Sequence, residues 1–179
     1  MDMNGIDQAD HRAGDAMSHF VRTLREIQHL PVNFIQADER IEVLEPVVDV
    51  HDEIEGILDA LIALAPIYRW SNLSSRYVLY PRDAIWDTQI GGIQITDVPR
   101  LNAATQFVTQ VRSRLPELNL SEPPMLGDPR SPVYTQPVSL PSSGSIVQHL
   151  VALLGVDPRI IFTIEPSSFG DQVLHFGQV

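Results

Sequence analysis

The chain reads as an α+β protein: a tandem duplication of a βαββ unit, each with an additional helix, the helices packed on small mixed sheets. Three observations carry this. Leu58-Asp59-Ala60-Leu61-Ile62-Ala63-Leu64-Ala65-Pro66 returns in outline as Val147-Gln148-His149-Leu150-Val151-Ala152-Leu153-Leu154-Gly155, 89 residues later. Upstream, His19-Phe20-Val21 is echoed by Gln106-Phe107-Val108, and downstream Tyr77-Val78-Leu79-Tyr80 by Gln172-Val173-Leu174-His175-Phe176. The hydrophobic period also switches in the same order in both halves, from helical to alternating.

The elements follow in order. Residues 1–15 are polar and without period, which predicts a flexible tail. Met17, Phe20, Val21, Leu24 and Ile27 recur at helical spacing and predict an amphipathic helix stopped at Leu30-Pro31. Val32 to Ile35 predict a short strand, and Val47 to Val50 another. Asp52 is placed to cap a helix whose apolar face holds Ile54, Ile57, Leu58, Leu61 and Ile62, with Pro66 ending it. Residues 67–70 and 76–80 are aromatic and β-branched around a polar link, so they predict a hairpin.

The second half predicts a strand over residues 92–96 and a helix capped by Asp97, with Leu101, Ala104, Phe107, Val108 and Val111 on its face. A proline-rich irregular loop fills residues 117–132. A strand over 133–140 carries Pro137, which marks a break or an edge. A helix then opens at Ser142 to Ser145 and closes at Gly155. Residues 160–164 and 173–176 make the closing hairpin. The expected boundaries are 1–15, 16–87 and 88–179. A helix on three strands buries a small core, so the two units are expected to pack together.

Val48-Asp49-Val50-His51-Asp52, Ile57-Leu58-Asp59-Ala60-Leu61, Pro66-Ile67-Tyr68-Arg69-Trp70 and a strand ending in Pro81 together resemble the secretin and TonB short N-terminal (STN-like) domain. The second copy resembles it less closely, with Ile161-Phe162-Thr163 where that family has a Tyr-x-Trp pair. The resemblance implies a bacterial cell-envelope interaction or signalling module with no catalytic residues. Without it, a cytoplasmic setting fits equally.

Composition removes several chemistries. The chain has no cysteine, which excludes disulfides, thiolate nucleophiles and thiolate zinc sites. Its net charge of −11 argues against nucleic acid and anionic lipid as partners. No apolar run approaches the roughly 20 residues of a membrane helix, so membrane insertion is not expected. The 12 basic residues are all Arg, which we read as codon usage.

Residues 38–59 hold nine carboxylates against Arg40, without the spacing of a calcium loop, and read as a solvated face. Asp49, His51 and Asp52 form a weak polar cluster, because alternation puts Asp49 and His51 on one strand face. No histidine pair has metal-ligand spacing, and His149 and His175 read as structural. The serines at 142–145 read as a helix cap, and no G-x-S-x-G elbow exists for a serine hydrolase. Tyr68, Trp70, Tyr77, Tyr80 and Trp86 are either core or a partner-binding hot spot. Trp86 is also placed to staple the units together.

The sequence thus predicts a non-enzymatic protein–protein interaction or assembly module, with a protein partner, no catalytic or metal residues and no cofactor. Oligomeric state is left open. The alternative is a small-ligand-binding protein or enzyme with its site in the cleft between the repeats.

Overall fold

A computed structural model describes residues 16–37 and 53–179. The expected tail, the strand at 47–50, the Asp52 cap and the cluster of Asp49, His51 and Asp52 fall outside the described residues.

The fold is α+β, around one six-stranded mixed sheet and two short two-stranded ribbons. The first half contributes α1 (Ala16–Gln28), β1 (Val32–Ile35), α2 (Ile54–Leu64), β2 (Tyr68–Leu73) and β3 (Arg76–Pro81). The second contributes β4 (Gln89–Gly91), β5 (Val98–Pro99), α3 (Arg100–Arg114), β6 (Leu120–Ser121) and α4 (Pro132–Thr135). It continues with β7 (Pro137–Val138), β8 (Ser143–Ser145), α5 (Ile146–Ala152), β9 (Ile160–Pro166) and β10 (Gln172–Gln178).

The sheet order is β2-β3-β1-β9-β10-β6. It divides into two trios, β2-β3-β1 and β9-β10-β6, each a hairpin plus a strand parallel to the hairpin's second member. The registers correspond as well: Val32 pairs with Tyr77 in the first trio, and Leu120 with Gln172 in the second. β3, β1 and β9 run one way, and β2, β10 and β6 the other. A half-turn about a line across the sheet, combined with a shift of three strands along it, therefore carries one trio onto the other, and such a turn exchanges the sheet's faces.

The helices obey that exchange. Met17, Val21 and Leu24 of α1 and Ile57, Leu58 and Leu61 of α2 bury against Val32, Phe34, Tyr68 and Leu79 on one face. Ala104, Phe107, Val108 and Val111 of α3 and Ile146, Val147 and Leu150 of α5 bury against Ile35, Val78, Phe162, Ile164 and Leu174 on the other. Alternation along each strand makes two cores from one sheet. Ile35, Val78 and Tyr80 of the first half belong to the second core, so neither half closes alone.

Four expectations need correction. The strand at 92–96 is instead β4 at Gln89–Gly91, followed by irregular chain. The strand at 133–140 is instead the single turn α4 and the two-residue β7. These segments face one another as an interrupted ribbon: β4 pairs with β8, β5 with β7, and Ile93 N–H donates to the Ser142 carbonyl between them. Gly92 and Asp97 at positive φ, together with Pro137 and Pro141, break the alternation a longer ladder needs. The loop over 117–132 holds β6, which supplies the third strand of the second trio. Each trio's third strand is thus the strand that next follows the trio's first helix. Asp97 does not cap α3: it lies at φ 54°, its N–H takes the Ser139 hydroxyl, and Pro99 stands at the cap position.

The serine cap does form. Ser145 Oγ accepts from Gln148 N–H at 3.2 Å and Gln148 Oε1 from Ser145 N–H at 2.7 Å, a reciprocal capping box on α5. Gly155, at φ 66°, turns the chain after α5, where a Cβ would come within 3.2 Å of Val138.

Candidate interaction surface

The seam between the trios shows what this sheet requires of a strand edge. There β1 lies parallel to β9, and Gln36 N–H donates to the Ile164 carbonyl at 2.8 Å. Asn33, fully buried, bridges both neighbours: its amide donates to the Tyr77 carbonyl at 3.0 Å and its oxygen accepts from Phe162 N–H at 2.9 Å. Arg25 of α1 reaches over the seam to Thr163 Oγ1 and the Phe162 carbonyl. Burial lowers its pKa to about 10, against the opposing pull of Glu165, and it stays positive at neutral pH. Arg76 of β3 donates to the carbonyls of Gly155, Asp157, Pro158 and Ile160 and so holds the turn leading into β9.

These arginines act on backbone carbonyls. Arg100, wholly buried at the start of α3, does so most completely. It donates to the carbonyls of Pro132, Val133, Leu153 and Leu154 and to Gln136 Oε1, satisfying the open C-terminal ends of α4 and α5. Burial also lowers its pKa to about 10.

The outer edges of the sheet are β2 and β6. In β2–β3 the hairpin turn is Ser74-Ser75, at φ 51° and 62°, the positive values that a two-residue type I′ loop demands. Such a loop makes Leu73/Arg76, Ser71/Val78 and Arg69/Tyr80 the hydrogen-bonded pairs. The N–H and C=O groups of Trp70 and Asn72 therefore point away from β3, along an edge that no described strand covers. The edge is six residues long and contains no proline. β6 is two residues long and runs into Glu122-Pro123-Pro124, so its continuation lacks two donors.

The five aromatic residues divide. Tyr68 is fully buried, its hydroxyl accepts from Ala37 N–H at 2.9 Å, and its ring lies 5.8 Å from that of Phe34. Tyr80 is buried, with its hydroxyl 3.1 Å from Ser71 Oγ and the Arg69 guanidinium over its ring. Trp86 is buried in the core that joins the halves, as a staple. As a partner-binding surface these three are corrected: they are core. Trp70 and Tyr77 remain half-buried on the α2 side, with ring centroids 6.0 Å apart. Trp70 Nε1 donates to Asp59 at 2.8 Å, and the Tyr77 hydroxyl donates to Glu55 at 3.2 Å. Burial, with the carboxylates of Glu55 and then Glu53, raises the Tyr77 pKa.

His149 is buried, stacked on Phe107 at 5.4 Å, and its ring nitrogens lie at the carbonyls of Ser145 and Pro141, a structural placement. His175 is half-buried on β10. Among the described residues no group of His, Asp and Glu could hold a metal ion.

A cleft of about 420 Å³ does lie between the halves, at the end of the sheet beside Ala37. Its polar lining is Gln36, Arg82, Asp83, Glu117, Asn119 and Gln172. Reading the sequence missed Asn33, Arg25, Arg76 and Arg100. The one signal for Asn33 is an amide inside an otherwise apolar Val-Asn-Phe-Ile strand.

No family model matches the chain, and neither a curated protein nor a solved structure matches it. What the structure defines is an α+β fold with no described helix long and apolar enough to cross a membrane.

Proposed function

We propose that the protein is a non-catalytic interaction module that takes up an extended segment of a partner protein along β2. The observation that carries this is the edge at Trp70 and Asn72, uncovered among the described residues and flanked by the half-buried Trp70–Tyr77 pair. Main-chain groups of an open edge supply affinity, and alternate side chains beside it supply selectivity. The resemblance of residues 48–81 to an envelope interaction domain supports the same kind of role.

A photo-crosslinking residue at position 72, in the native cell, tests it. We expect adducts to one partner at position 72 and none at position 130, on exposed chain away from the edge. Adducts at 130 with none at 72 would sink the reading.

The cleft beside Ala37 supports a second reading, a small polar ligand held between the halves. Stabilisation of the protein by a metabolite, abolished by Gln172→Leu and Arg82→Ala, would favour it.

A further inference from the structure

The geometry points to the chemistry of the segment that β2 takes up: an extended, basic stretch of a partner protein, running parallel to β2, with a Lys or Arg side chain abreast of Trp70. This rests on the edge reading above.

The direction comes from within the molecule. Trp70 pairs with Leu79 as Ile164 pairs with Leu174, and Leu79 and Leu174 each lie two residues past the first position paired with their trio's third strand, Tyr77 and Gln172. Trp70 in the first trio thus corresponds to Ile164 in the second. The edge at Ile164 is already occupied by β1, in parallel, with Gln36 N–H on the Ile164 carbonyl and Ile35 abreast of Ile164. The same docking on β2 places a donor on the Trp70 carbonyl and one side chain abreast of Trp70, on the face that α2 covers.

That side chain meets a specific environment. The Trp70 ring stands beside it, held by Asp59 of α2; Tyr77, one strand further in on β3, packs on Trp70 and is held by Glu55, and Glu53 opens the same helix. The nearest strand cation, Arg69, lies on the opposite face in an ion pair with Asp87. An incoming ammonium or guanidinium gains the ring faces and two exposed carboxylates together, while a carboxylate would meet like charge. A chain of net charge −11 adds long-range attraction for a basic partner.

The test is a phage library of random 12-residue peptides panned on the intact protein. We expect enriched peptides to carry Lys or Arg at alternate positions. Their affinity should fall tenfold or more on the protein carrying Glu55→Gln with Asp59→Asn, two exposed sites outside the core. It should fall equally when the peptide backbone is N-methylated at the residue following each cation, which removes the donor to the Trp70 carbonyl as Gln36 N–H serves Ile164, and stay unchanged on the remote pair Glu117→Gln with Asp128→Asn.

Enriched peptides lacking cations, or an affinity indifferent to Glu55→Gln with Asp59→Asn but sensitive to backbone N-methylation of the peptide, overturn the basic-segment inference and leave the edge reading standing. Binding indifferent to N-methylation at every position of the peptide overturns both.

Discussion

β9 and β2 hold equivalent places in their trios, yet β9 has a strand on both edges and β2, among the described residues, only β3 on one. The difference lies in what approaches each edge. β9 receives β1, which brings an amide at Asn33 able to serve two strands at once, an arginine from α1 and donors at every position it needs. The strand equivalent to β1 in the second trio is β6, and at the corresponding place it carries Pro123 and Pro124. A β6 edge so ended cannot dock on the β2 of a second copy as β1 docks on β9. Among the described residues the two trios therefore join once, because β6 lacks the N–H groups with which β1 joins.

The largest test of this contrast is Arg76→Met. It leaves four carbonyls of the turn into β9 without their charged donor, and we expect a loss of about 3 kcal/mol in urea unfolding. A loss under about 1 kcal/mol would mean that the turn holds itself and the seam rests on the sheet alone. Asn33→Leu comes next. It strands the buried Phe162 N–H and unpairs the Tyr77 carbonyl, for about 2 kcal/mol by the same measurement.

Pro123→Thr with Pro124→Val restores the two missing donors, the one at position 124 facing the outer edge as Gln36 N–H does. Stability should change by less than about 0.5 kcal/mol, as for other exposed positions, but light scattering should show mass rising with concentration. If the variant scatters as the parent does at every concentration, the prolines are not what stops the sheet.

The smallest effect concerns how β6 is held. Hydrogen bonds from the Ser121 and Ser167 hydroxyls lower the pKa of Asp171. A depressed carboxylate contributes stability that is present above its unfolded pKa of about 3.9 and lost as pH falls through the lower folded value. Acid below about pH 4 should loosen the β10 loop from β6, read as faster amide exchange at Asn119 and Gln172. In Asp171→Asn that pH dependence should vanish; a persistent one would assign it to another group.

How much of this was legible varies by element. α1, α2, α3 and both hairpins are visible because each buries a stripe or an alternating face of its own, as Met17, Val21 and Leu24 do. β6 was invisible: two residues among prolines carry no pattern, and they become a strand because β10 offers them a ladder. The interrupted ribbon was misread for the opposite reason, since its apolar residues alternate while Gly92, Asp97 and Pro137 break the pairing. Of the candidate surface, Trp70 and Tyr77 were named from the start, but so were Tyr68, Tyr80 and Trp86. Only packing separates them, since the alternation that places a ring on a face does not say what covers that face.

The sequence by itself determined the α+β class, the repeated order of helix and hairpin, the capping box at Ser145 and the absence of thiol chemistry, because these follow from local period, local hydrogen bonding and residue type. The tertiary structure decided that both trios share one sheet, that their helices lie on opposite faces, and that among the described residues β2 is an outer edge. Those outcomes depend on pairings between residues more than a hundred positions apart, such as Asn33 with Phe162 and Arg25 with Thr163. No local period encodes a partner at that distance.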